Sequence, residues 1–119
     1  MYEIYFYIDS KGKEPVLDYL KELKSRTDKD SRIKLNKIND YIEALSKYGL
    51  QLTEPYIKHL DGDIWELRPT SDRILFAGVI GNDFVLLHQF EKKTQKTPRR
   101  EIRQAEKELK DFLERSEKK

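Results

Sequence analysis

The residues best equipped for chemistry lie between positions 58 and 99: Glu66, Arg68, Arg73 and His88, accompanied by Lys58, Lys92, Lys93, Lys96 and Arg99. A guanidinium grips phosphate oxygens through two parallel hydrogen bonds and stays charged at any working pH, so this set suits a phosphodiester. RNA brings its own nucleophile, the 2′-OH. Its cleavage needs no metal when a base takes that proton, cations steady the charge gathering on phosphorus, and an acid protonates the leaving 5′ oxygen. Glu66 is a candidate base and His88 a candidate acid, or the reverse, with Arg68, Arg73 and Lys93 as stabilisers. An imidazole with an unperturbed pKa of roughly 6.5 suits either role. Lys58, Lys92, Lys96 and Arg99 are candidate contacts to the RNA backbone.

Each of these residues also has a plainer reading. Glu66 and Arg68 would be neighbours on a solvated strand face, His88 a hydrogen-bonded structural histidine, and the lysines a solvated turn. His59 reads as a surface residue, and Tyr2, Tyr5 and Tyr7 as packing or edge residues. Two histidines with scattered acids give no ligand spacing, so neither a metal nor another cofactor is expected.

What must position these side chains is a series of short elements. Tyr2 to Ile8 alternates with period two and reads as a strand. Pro15 opens a short helix that carries Val16, Leu17, Leu20 and Leu23 and ends near residues 25–27. Leu35, Ile38, Ile42 and Leu45 mark the apolar face of a second helix, stopped by Gly49. The period then returns to two. Strands are expected over 57–60, 63–68, 73–80 and 83–90, with turns at Asp61-Gly62, 69–72 and Gly81-Asn82. Thr97-Pro98 opens a last helix, with threonine as its cap and Ile102, Ala105, Leu109 and Phe112 on one stripe. Residues 114–119 read as a frayed tail.

The expected turns fix a register. A two-residue turn at Gly81-Asn82 sets Leu75 opposite His88 and Arg73 opposite Phe90. A four-residue loop at 69–72 sets Glu66 opposite Leu75 and Arg68 opposite Arg73. Glu66, Leu75 and His88 then form one row and Arg68, Arg73 and Phe90 the next, all on one face. That face should be apolar at its other end through Ile64, Ala77, Val79, Phe84 and Leu86. The opposite face, Trp65, Leu67, Ile74, Phe76, Val85 and Leu87, should pack on the two-helix hairpin. Facing arginines repel, so the Arg68–Arg73 pair asks for an anion between them.

Length and composition agree with this picture. At 119 residues the chain should form one domain over 1–119, of class α+β. Cysteine is absent, which removes disulfides, thiolate metal sites and a cysteine nucleophile. No apolar run approaches the ~20 residues that cross a bilayer, so a soluble, unprocessed, cytoplasmic protein is expected. The 24 basic and 22 acidic side chains nearly cancel, but from His88 to Arg100 five basic residues face one acid, Glu91. That local excess attracts a polyanion.

Three stretches carry a family resemblance: Asp61-Gly62-Asp63-Ile64-Trp65-Glu66-Leu67-Arg68, then Arg73-Ile74-Leu75-Phe76, then 86–98, LLHQFEKKTQKTP. Together they resemble the phage-related HigB-type branch of the RelE/ParE toxin superfamily. The resemblance implies a RelE-like fold, an antiparallel twisted sheet of N-terminal strand and C-terminal meander with a helical hairpin on one face and a closing helix. It also implies a ribosome-dependent mRNA endonuclease held inactive by a cognate antitoxin, usually a small helix-turn-helix protein of HigA type. Partners would be that antitoxin, mRNA and the ribosome. Carried over, it points to Arg68, Arg73, His88, Lys92, Lys93 and Lys96, with Glu66 as the carboxylate of the "ELR" motif. RelE proper favours a C-terminal tyrosine near its site, where this chain has Thr97-Pro98-Arg99-Arg100, and strand lysines where it has Ile64 and Glu66. Two other functions fit the same fold: a ParE-like inhibitor that binds DNA gyrase, and a non-catalytic RNA-binding domain.

Overall fold

The computed structural model describes residues 1–117. Along the chain run β1 (Ile4–Phe6), α1 (Pro15–Ser25), α2 (Lys29–Tyr48), β2 (Ile57–Asp61), β3 (Ile64–Leu67), β4 (Asp72–Val79), β5 (Asp83–Glu91) and α3 (Arg99–Glu117). The strands form one five-stranded sheet in the order β1-β5-β4-β3-β2. Every pairing is antiparallel except β1 with β5, which is parallel. This is the α+β architecture expected. No helix of the described residues is long and apolar enough to cross a membrane.

Local chemistry sets the helix ends. Pro15 stands at the first turn of α1, where its missing N–H costs nothing. The Asp28 carboxylate accepts from the Ser31 N–H at 2.9 Å and caps α2. Gly49 ends that helix at φ 57°, in the left-handed region. Helices α1 and α2 then cover one face of the sheet, where Leu20, Leu23, Ile38 and Leu45 meet Ile57, Leu67, Ile74, Phe76, Phe84 and Leu86. Each such side chain, fully buried, contributes roughly 1.5–3 kcal/mol.

The register near the charged residues is the expected one: Glu66 faces Leu75, Leu75 faces His88, and Arg73 faces Phe90. It is reached by a different route. The β4–β5 connection is a three-residue turn, Ile80–Asn82, so Val79 faces Asp83. An irregularity beside Leu75 and Phe76 leaves Leu87 as an extra residue on β5 and restores the pairing beyond it. Between turn and bulge the faces of β5 are therefore exchanged relative to expectation. Phe84 and Leu86 pack on the helical hairpin, while Val85 and Leu87 join Ile64, Leu75 and Ala77 on the other face. There α3 closes the second core with Ile102, Ala105 and Leu109.

Helix α3 begins at Arg99, after Thr97-Pro98, and the Glu101 N–H bonds to the Pro98 carbonyl at 3.0 Å. The expected threonine cap is displaced because the Thr97 hydroxyl donates to Glu66. The helix continues through Glu117, past the start of the expected frayed tail; residues 118–119 lie outside the described residues.

Candidate functional site

Four strands place one row of side chains across the sheet: Lys58 on β2, Glu66 on β3, Leu75 on β4 and His88 on β5. The carboxylate of Glu66 sits at 1% exposure beneath Arg68 and Arg73. Its Oε1 lies 3.4 Å from Arg68 Nε and 3.5 Å from Arg73 Nε. None of these three buried atoms has a hydrogen-bond partner of good geometry, so the attraction is one of charge rather than direction. The anion required between the two arginines is thus a side chain of the protein. Glu66 Oε2 accepts from the Thr97 hydroxyl, which ties the start of α3 to the sheet. Arg73 Nη1 donates to the Asp72 carbonyl at 2.9 Å and to the Thr70 carbonyl. Burial, then the neighbouring Arg68 charge, holds Arg73 below the ordinary arginine range, against the opposing pull of Glu66 and Asp72.

Above Glu66 opens a cleft of about 240 Å³ lined by Lys58, His59, Leu60, Glu66, Lys92, Gln95, Lys96, Thr97 and Ile102. Lys92 reaches it because its backbone N–H is held by the Ser71 carbonyl at 2.8 Å. Burial foremost, and the charges of Arg73, Arg68 and Lys58, hold the Lys92 ammonium below its ordinary value, while Glu66 opposes them. Lys93, the next residue, is exposed and outside that lining. Its charge instead helps hold Glu91 below the usual carboxylate range, after the hydrogen bond and charge of Lys34. Arg99 lies beyond the cleft, paired with Asp61 at 2.8 Å on the β2–β3 hairpin.

His88 has a different setting. Two strand spacings, roughly 10 Å, and the apolar Leu75 separate it from Glu66. Its Nε2 lies 2.7 Å from Glu101 Oε1 and its Nδ1 3.8 Å from Glu108 Oε1, both carboxylates belonging to α3. Its ring stacks on Phe90 at 6.0 Å. Glu108 is 6% exposed, and burial pushes its carboxyl up to about 7; the charge of Asp9 adds to this and a hydrogen bond with Gln104 opposes it. His59 stands outside both groups: its Nε2 meets the Gly62 carbonyl at 2.8 Å and its ring packs on Trp65.

Three participants escape a reading of the sequence. Glu101 and Glu108 had a visible signal, since they interrupt the apolar face of α3 one heptad apart, beside Ile102, Ala105 and Leu109. Thr97 had none, because its partner Glu66 is 31 residues away.

A family model for phage-derived Gp49-like proteins (DUF891) matches residues 18–110, more than three-quarters of the chain. The chain belongs to the Gp49-like family. That family is of the RelE/HigB-like toxin type. No curated protein matches the sequence. The Gp49-like segment runs from α1 into α3 and so contains the whole cleft and the His88 cluster.

In this Gp49-like chain the cleft presents an acid, Glu66, beside an amine whose proton is loosened, Lys92, with Lys58 and Lys96 at the rim. Such an arrangement has the charge to attract an anion and carries groups that can exchange protons. Among the described residues no group of three or more metal-ligating side chains gathers.

Proposed function

We propose that this protein is the toxin of a type II toxin–antitoxin pair, a metal-independent mRNA interferase that cuts message on the ribosome. The observation that carries this reading is the cleft itself: a buried carboxylate between two arginines at the floor, and three lysines facing the opening. A scissile phosphate seated among Lys58, Lys92 and Lys96 places the 2′-OH over Glu66. Glu66 takes the hydroxyl proton, the 2′ oxygen attacks phosphorus, and the bond to the 5′ oxygen breaks as Lys92 supplies its proton. The products are a 2′,3′-cyclic phosphate and a free 5′-OH. Arg68 and Arg73 hold Glu66 in place and add positive potential under the phosphate. His88 fixes α3, and through it Thr97, rather than touching RNA.

The cleft offers charge but its lining holds no Phe, Tyr or Trp to stack on a base, which favours a substrate ordered by another body. The ribosome supplies that order and places the protein in the cytoplasm. A helix-turn-helix antitoxin would silence the protein by covering the cleft. To test the reading, purified protein is added to stalled ribosomes carrying end-labelled message. Wild type should cut, and Arg73→Ala should slow cutting by about 10²-fold. Intact message with wild type at every codon tried would sink the proposal; loss of gyrase supercoiling alongside intact message would favour a ParE-like inhibitor.

A further inference from the structure

Helix α3 has a second long face that neither the core nor the cleft uses. At about 100° per residue, Arg99, Arg100, Arg103, Lys107 and Lys110 fall within one sector roughly a quarter-turn wide. All five are exposed, and the sector lies away from the buried Ala105, Glu108 and Leu109. Further along the helix Glu114 and Glu117 fall at the same angular positions, and Glu106 lies just outside the sector. Asp61 pairs with Arg99 at 2.8 Å and Glu101 lies 3.8 Å from Arg100. Among the described residues Arg103, Lys107 and Lys110 carry no ion pair.

Along the ridge like charges stand three and four residues apart, which destabilises a helix, and only the flanking Glu106, Asp111 and Glu114 offset them at the same spacing. The ridge extends about 16 Å along the axis and holds no aromatic side chain, so it suits a row of phosphates rather than base edges. It is also continuous with the cleft, since Lys96, Thr97 and Ile102 line the cleft immediately before and within the first turn of α3.

We infer that the α3 ridge docks on the phosphate backbone of a ribosomal RNA helix and so holds the protein while its cleft takes the message. The inference rests on the ribosome-dependent reading above. Neutralising three of the ridge cations, Arg103→Gln with Lys107→Gln and Lys110→Gln, keeps good helix formers and spares every cleft residue. Affinity for ribosomes is measured against potassium chloride, on vacant and on message-loaded particles. The triple variant should bind both at least about tenfold more weakly, and the slope of log K against log salt should flatten by about 2–3, near 0.7–0.9 for each phosphate no longer neutralised. Its single-turnover cleavage at saturation should stay within about twofold of wild type.

Unchanged affinity and slope would overturn the inference. So would a loss confined to message-loaded particles, which would make the message the ligand, or weakened antitoxin binding with ribosome affinity intact. An equal loss from Lys21→Gln with Lys24→Gln and Lys29→Gln, on α1 and α2, would reduce the effect to overall charge and also overturn it. Wild type that binds ribosomes through the ridge without cutting message would overturn the cleavage mechanism and leave the ridge standing.

Discussion

Glu66 and His88 occupy one row of the same sheet, two strands apart, and their surroundings differ sharply. At the Glu66 end the carboxylate is buried but its neighbours open onto a cleft lined by Lys58, Lys92 and Lys96. At the His88 end α3 closes over the row, and the imidazole spends Nε2 on Glu101 while Nδ1 lies 3.8 Å from Glu108. Leu75 insulates one end from the other. Residue type alone would rank histidine first for proton transfer; the mechanism proposed above reverses that order because of what surrounds each side chain.

The comparison can be broken at either end. The largest effect should come from Glu66→Ala, which leaves two guanidinium groups facing each other at the floor of the cleft; about 3–5 kcal/mol of folding stability should be lost, measured by denaturant unfolding. If stability is unchanged, the arginines do not depend on Glu66. Next is Glu108, whose carboxyl is raised from an ordinary 4.5 to about 7 by burial. A raised acid means that the folded chain holds its proton more tightly, so the penalty for ionising it is absent below pH 4.5 and complete above about pH 7. Glu108→Gln should therefore stabilise the protein at pH 8 relative to pH 5, by on the order of 3 kcal/mol, in melts at the two pH values. A gain independent of pH would contradict this. The smallest stability effect is expected for His88→Gln, about 1–2 kcal/mol through removal of the bond to Glu101.

Much of the fold was legible because hydrophobic period and punctuation agree. Pro15, Gly49 and the changes of period marked the helices and strands within a few residues. The row containing Glu66 was legible too, but through two departures that cancel: the extra turn residue shifts β5 by one, and the bulge at Leu87 shifts it back. A bulge depends on how two strands twist against their neighbours, so the sequence of one hairpin does not reveal it, and the sides of Phe84, Val85, Leu86 and Leu87 were misplaced as a result. The site was legible as a set of charges and not as an arrangement. Which of Lys92 and Lys93 turns inward is decided by the Ser71 carbonyl, and the burial of His88 by a helix that begins eleven residues later.

The most direct test is the single-turnover rate of message cleavage on stalled ribosomes for Lys92→Ala and His88→Gln side by side, each at saturating protein. Chemistry confined to the Glu66 end predicts a loss of about 10²-fold for Lys92→Ala and a rate within about threefold of wild type for His88→Gln. A folded His88→Gln variant that loses as much as Lys92→Ala, or a Lys92→Ala variant that keeps the wild-type rate, would contradict that division.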